Sequence, residues 1–418
     1  MPHFLWLTMN YLGIDFGTSG ARAIAIDGTG QIVAETRCPY PTQELADGWR
    51  HTLWALIDQI PAGVRRQITA IAIDGTSGTV LLCDRNHTPL TKPLLYNDAR
   101  GGIPTVAPAT SPAYSATSSL AKALWWQTNL PTPILTEVRY LVHQADWLSS
   151  LLHGKPGITD YNNALKLGYE PQTPGYPPWL KALEIGSWLP QVLTPGAAIA
   201  TVQPDIAQRF GLSQSCLIKA GTTDSIAAFL ASGANAVGDA VTSLGSTLVL
   251  KLLSPVAIND AASGIYSHRL GQQWLVGGAS NTGGAVLQRY FTTAELRRLS
   301  TKIDTSRPSG LDYYPLLVPG ERFPLSDPNL APRLTPRPPH PETFLHGLLE
   351  SMARIEALGY QTLTALGGGP VKRVFTAGGG AQNLVWQTLR AQALGGIPLA
   401  PPLHTEAAYG AARLAAGL

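Results

Sequence analysis

Residues 13–27 read GIDFGTSGARAIAID, and two structures suit them. Two short apolar runs flank a Gly-Thr-Ser-Gly turn, the pattern of a β-hairpin. A turn so rich in glycine and hydroxyl groups also points several backbone N–H groups at one spot, which suits phosphate oxygens. Asp15 ends the first run, where a carboxylate can hold Mg2+ through water. The turn is not a Walker A loop, because the lysine of G-x-x-x-x-G-K-[ST] is missing, and it is not G-x-G-x-x-G. Taken alone, the stretch leaves both readings open.

The same design recurs along the chain. Residues 68–84, ITAIAIDGTSGTVLLCD, repeat the apolar run, an aspartate (Asp74), a Gly-Thr-Ser-Gly turn and a second apolar run. Residues 240–253, AVTSLGSTLVLKLL, are a third version. After the first, QIVAETRCPY (31–40) reads as a further strand. GWRHTLWALIDQIP (48–61) reads as a helix, with Trp49, Leu53, Leu56, Ile57 and Ile60 at helical spacing and Pro61 as its stop. Helical patterns follow near 119–130 and 136–153. CLIKAGTTDSIAAFLASG (216–233) predicts a strand ending at Gly221 and a helix from about Thr223. WLVGGASNTGGAVLQRYF (274–291) and the segment 371–394 both read as strand, glycine-rich turn, helix. The proline-rich 303–341 reads as an irregular excursion over the surface, and the Ala-rich final segment as a helix. The pattern is an internal duplication: an α/β lobe over 10–230, a second over 231–404, and a last helix, 405–418, packing back on the first.

Composition narrows the function classes. A chain of 418 residues has room for two cores. A net charge of +3 without a basic block argues against nucleic acid or an anionic membrane as a partner. Cys38, Cys83 and Cys216 lie far apart, which predicts a reducing compartment, no disulfide framework and no structural zinc. The histidines show no metal-binding spacing. The apolar opening MPHFLWLTMN lacks a basic n-region and a small-residue cleavage site, so it is not read as a signal peptide. We expect a cytoplasmic protein, a monomer or weak homodimer.

Three further motifs bear on the opening question. In SLGST, the residues Gly245, Ser246 and Thr247 form a second hydroxyl-rich turn, and two such turns suit a polyphosphate. TAGGGAQN places Gly378, Gly379 and Gly380 between a strand and a helix, where a flat molecule or phosphate can approach the backbone. There Asn383 can hydrogen-bond a base or ribose and Trp386 offers an apolar face; the plain alternative is a tight turn over a core tryptophan. AGTTDS puts Asp224 at a helix start beyond a strand. Asp224 suits an N-cap, but Thr222 or Thr223 can cap instead, leaving the carboxylate to accept a hydroxyl proton during phosphoryl transfer.

With these pieces in order, the chain resembles the FGGY family of carbohydrate kinases. The resemblance rests on GIDFGTSG, LLYNDAR, QADWLSSLLHG, AGTTDS, SLGST, TAGGGAQN and EAAYGAA, and so runs nearly the whole chain. It implies two duplicated ribonuclease-H-like lobes of the actin-like ATPase type with a cleft between them, and ATP and Mg2+ as cofactors. It further implies that Asp224 is the catalytic base and that Asp15 organises Mg2+ and sugar. Gly17, Thr18 and the SLGST turn would contact phosphates, and Gly378–Gly380 with Asn383 the adenosine. YNDAR resembles the W-N-D-x-R segment of xylulose kinases, which brings Asp98 to the sugar site. At 74–80 the chain reads DGTSGTV where xylulose kinases have a Met-His-Gly type turn. DGTSGTVLLCD, ATSSLAK and NALKLGY instead resemble a short xylulose-kinase-like branch of cyanobacteria and plants associated with D-ribulose. In that branch Ser19, Gly20 and Ser77 line the pentulose site. The competing readings are a D-xylulose kinase, an ATPase that drives a chaperone or filament, and a sugar sensor without turnover.

Overall fold

The computed structural model describes residues 9–18, 20–40 and 45–418. Ser19, assigned to the sugar site on sequence, lies outside them, as do residues 1–8 and 41–44. The chain divides into two compact units: the first ends at Ala231 and regains Glu406–Leu418, and the second is Ser232–Thr405.

In the first unit the opening stretch is a hairpin. Strands β1 (Asn10–Phe16) and β2 (Gly20–Asp27) are antiparallel, and β3 (Ile32–Pro39) continues the meander. β4 (Ile68–Gly75) then lies parallel to β1 on its other side. The strand after it, β5 (Val80–Cys83), does not pair with β4; it leaves the sheet and joins β6 (Tyr140–His143). The 68–84 repeat is therefore not a second hairpin, although its sequence copies the first. The helical pattern at 136–153 also divides: Tyr140–Leu141–Val142 pair as strand, and the helix is Gln144–His153. Aromatic and β-branched residues beside a free partner strand outweigh the helical spacing there. Beyond β7 (Ile158–Asp160) and β8 (Gln191–Leu193), a separate parallel pair, β9 (Ala198–Thr201) and β10 (Leu217–Lys219) complete the main sheet. Its order is β3-β2-β1-β4-β10-β9, with the two-residue β11 (Thr222–Thr223) also on β4.

Ile14, Phe16, Leu53, Leu56 and Ile73 fill the core on one face of this sheet. The other face receives the C-terminal helix Ala407–Ala416, and here small residues are a geometric need. A Cβ on Gly13 of β1 would lie 2.0 Å from the Ala408 carbonyl oxygen, and one on Gly410 would lie 1.8 Å from that of Ala227. Backbone thus packs on backbone, which explains the composition AAYGAARLAA.

The second unit repeats the topology. β12 (Asp239–Leu244), β13 (Leu248–Ser254) and β15 (Gln273–Ser280) form the antiparallel meander, with β14 (Tyr266–Leu270) added at its edge. β16 (Arg373–Ala377) is parallel to β12 and β17 (Leu399–Ala400) parallel to β16. The order β15-β13-β12-β16-β17 matches β3-β2-β1-β4-β10 strand for strand in direction. The segment 303–341 is irregular, but it does not merely cross the surface. Tyr313, Leu316 and Phe323 are buried, and Phe323 is completely so, packed over Gly278 and Gly359. Among the described residues no helix is long and apolar enough to cross a membrane.

Candidate active site

In the first unit, strand pairing decides which side chains meet. Asp15 on β1 is the register partner of Asp74 on β4, and Thr222 on β11 is the partner of Asp74 from the other side. Asp224 follows directly, in the first turn of the helix Asp224–Ala231. Three carboxylates are thereby set at the C-terminal ends of three adjacent parallel strands, where open α/β sheets bind ligands. Ser225 donates its N–H to Asp224 Oδ1 at 2.6 Å, which orients that carboxylate.

Asp74 is wholly buried, and neither of its oxygens receives an N–H or O–H from a described residue; nor does Asp15 Oδ1. Asp15 and Asp74 lie within side-chain hydrogen-bond range of each other, a contact that needs a proton on one of the two carboxyls. Burial is the main cause that pushes Asp15 up to about 6; Asp74 and Arg22 oppose it and Asp224 reinforces it. Burial raises Asp74 well above the usual carboxylate range too, with Asp15 and Asp224 adding to it. Buried carboxylate oxygens without donors are what a cation satisfies. Among the described residues no cluster of three or more His, Cys, Asp or Glu could hold a metal. Mg2+, however, typically takes one or two carboxylates and completes its shell with water and phosphate, and Asp15 fits that use.

The opening turn is closed by Gly17 N–H to the Gly20 carbonyl at 3.2 Å, and Tyr40 Oη donates to the Gly17 carbonyl at 2.7 Å. Thr18 is exposed at its tip. Gly20 carries no side chain because Cβ would approach the Cys38 carbonyl at 3.0 Å. The second turn is braced differently. Gln144 Oε1 accepts from Thr76 N and Oγ1, Thr79 donates its N–H to the Thr76 carbonyl, and Lys122 Nζ donates to the Gly78 carbonyl at 2.7 Å. These bonds use Thr76, Gly78 and Thr79, so the half-buried Ser77 is presented by a rigid loop.

Two lysines here escaped the reading of the sequence. Lys122 is fully buried, and burial, with Lys166 nearby, brings its amine down to about 7. Burial also lowers the Lys166 amine, opposed by the charge of Asp224. The Lys166 side chain lies against Gly78. The signal was present: a lysine lies inside the apolar helical stretch SLAKALWW and another within the mostly apolar NALKLGY, although lysines are rarely buried without a partner. Asp74 was visible only as the end of an apolar run. Asp98 forms an ion pair with Arg100 at 2.7 Å and lies within electrostatic range of Lys122. Burial would raise its carboxyl, but the Arg100 bonds outweigh that and hold it below the usual range.

The second unit holds a cavity of about 710 Å3, the size of a small-molecule site. Gly245 and Ser246 line one side, Gly379, Gly380, Asn383 and Trp386 another. The Gly245–Thr247 turn rests on the start of the helix Gly284–Tyr290: Gly284 donates to the Gly245 carbonyl and Ala285 to that of Ser246. Gly283, at φ 141°, leaves the room this needs. A Cβ on Gly378 would lie 2.8 Å from the Leu244 carbonyl, so the two glycine loops touch backbone to backbone. Asn383 is engaged in the fold: its Oδ1 accepts the Trp386 N–H, capping the helix Leu384–Ala393, and its Nδ2 donates to Ser300 Oγ at 2.9 Å. Trp386 is 2% exposed and packs beneath Gly380, a core residue that also forms part of the cavity wall.

The N-terminal domain of the FGGY family of carbohydrate kinases matches residues 10–231, and its C-terminal domain residues 240–417. A gluconokinase of Bacillus subtilis is 22% identical over 97% of this chain and 86% of that protein. A xylulose kinase of Lactococcus lactis is 23% identical over 89% of this chain and 80% of that protein. Among solved structures, Plasmodium falciparum glycerol kinase with ADP superposes with a TM-score of 0.82, at 16% identity, over 97% of this chain and 89% of that one. Together with the duplicated sheets and the carboxylates at the strand ends, these matches establish that the chain belongs to the FGGY family of carbohydrate kinases and is an ATP-dependent sugar kinase.

Proposed function

We propose that the enzyme phosphorylates a ketopentose, D-ribulose giving D-ribulose 5-phosphate, with Asp224 as general base. The observation that carries this reading is the juxtaposition of Asp15, Asp74 and Asp224 with the braced Ser77 turn in one lobe. A terminal sugar hydroxyl held there gives its proton to Asp224 as the γ-phosphoryl group arrives, the step a positioned carboxylate supplies in phosphoryl transfer. Ser77, Gly20 and Asp98 are assigned to the sugar, and Lys166 joins them because its amine can donate to a ketone oxygen. The second unit's cavity is assigned to ATP, with Gly245, Ser246 and Thr247 toward the phosphates; in the first unit, Gly17 and Thr18 are assigned to phosphate contacts. Gly378, Gly379, Gly380 and Trp386 are assigned to the nucleoside, and Asn383 holds their loop. Mg2+ on Asp15 would neutralise charge on the transferring phosphate.

D-xylulose is the second candidate, favoured by the xylulose kinase relative. The deciding experiment ranks D-ribulose, D-xylulose, gluconate and glycerol by kcat/KM with coupled detection of ADP. D-ribulose is expected to lead by at least tenfold. A higher value for any other sugar replaces the assignment, and ADP release indifferent to sugar removes the kinase step.

A further inference from the structure

Beneath the cavity of the second unit lies a closed polar network. Arg390, fully buried, donates Nε to Glu356 Oε2 at 2.6 Å and Nη2 to Oε1 at 2.7 Å, a bidentate pair. Its Nη1 reaches Thr376 Oγ1 at 2.9 Å. Glu356 Oε1 also accepts from Thr242 Oγ1 at 2.5 Å, and that hydroxyl lies 2.8 Å from Tyr360 Oη. Thr242 and Thr376 are register partners on the parallel strands β12 and β16. Each stands two residues before the end of the hydrogen-bonded strand or its glycine: Thr242 before Leu244, after which the Gly245–Thr247 turn begins, and Thr376 before Gly378. Arg390 and Glu356 come from two further helices, Leu384–Ala393 and Pro341–Leu363. The first of these begins at the cavity wall.

Replacing a fully buried ion pair by apolar groups is often neutral or stabilising, because desolvation offsets the attraction. Stability is therefore a poor reason for this pair. Its geometry supplies a better one. The two ligand loops touch at Gly378 and Leu244 with no side chain between them, so their spacing is inherited from the strands below. A bidentate fork fixes both distance and angle, which an apolar contact does not.

We propose that Glu356 and Arg390 are positioning residues for the nucleotide, setting the Gly245–Thr247 turn against the Gly378–Gly380 loop through Thr242 and Thr376. The proposal rests on the assignment of this cavity to ATP. The test compares the Glu356→Met/Arg390→Met double variant, which leaves no unpaired charge, with wild type. MgADP affinity is measured by calorimetric titration, KM for ATP and for D-ribulose by kinetics, and folding by thermal melting. Expected are a melting point near wild type, MgADP affinity and KM for ATP worse by tenfold or more, and KM for D-ribulose within twofold. Arg390→Lys, which keeps the charge but loses the fork, should fall between. A folded double variant that binds MgADP within twofold of wild type overturns the proposal, as does an equal rise in both KM values. If the double variant does not fold, Thr376→Val, which removes a single link, must show the same split in reduced form. Gly379→Phe separates the two readings, because a Cβ there meets nothing within 4 Å and its side chain has space at the cavity wall. Unchanged MgADP binding in that variant refutes the cavity assignment itself; loss there with no loss in the double variant refutes only the positioning role.

Discussion

Replacing Asp15 by Asn should make the ligand-free protein more stable and the enzyme inactive. Burial holds the Asp15 carboxyl at about 6 instead of its ordinary 3.8. Its folded state therefore retains a proton that the unfolded chain has released. Below pH 3.8 both states are protonated and the carboxyl costs nothing. As pH rises from 3.8 to 6 the unfolded chain ionises first, so stability falls through that window and levels off above it. The difference in proton affinity corresponds to about 3 kcal/mol at full effect. Asn keeps the shape, does not ionise and offers Asp74 the donor it lacks. Asp15→Asn should thus match wild type near pH 4 and exceed it by about 1–3 kcal/mol at pH 7. For a unit of this size that is a rise of roughly 2–10 °C in melting temperature. Differential scanning calorimetry of both proteins without ligands, from pH 4 to 7.5, reads the gap directly. A gap that does not grow with pH, or a less stable variant at pH 7, refutes the account of a site that stores unfavourable charge for its ligands.

Three other outcomes follow from named contacts. Asp224→Asn should lower kcat by about 10²–10⁴ with MgADP affinity within twofold; a kcat within tenfold of wild type would remove Asp224 as the base. Gly410→Val drives a side chain into the Ala227 carbonyl, 1.8 Å from its Cβ position, and should destabilise by about 1–3 kcal/mol, measured by urea unfolding; a neutral result would mean the last helix packs less closely. Phe323→Ala empties a fully buried site between Gly278 and Gly359 and should cost about 3–5 kcal/mol. A loss under 1 kcal/mol there would return the segment 303–341 to the role of a surface cover.

Much of the fold was legible along the chain, and so were the turns proposed for the site, because the information was local. The hairpin at residues 10–27, the hydroxyl-rich turns and the strand–glycine–helix units depend on neighbours a few positions apart, and period and turn chemistry record those. So does the duplication, since each half begins with the same run, turn and run. What the chain could not record was pairing at long range. The 68–84 segment copies the first hairpin, yet its second strand joins residues 140–143, because Tyr140–His143 offers a partner that no local pattern announces. Asp74 became part of the site only when β4 placed it opposite Asp15. Lys122 and Lys166 sit in apolar stretches of sequence, but only the fold brings both against Gly78. Asn383 and Trp386, which the glycine motif offered for a nucleoside, line the cavity, and the fold uses one as a helix cap and the other as a buried floor. The sequence alone determined the elements and the chemistry their turns can carry. Tertiary structure decided which carboxylates meet and how far each is buried, since both depend on strands and helices that lie many residues apart in the chain.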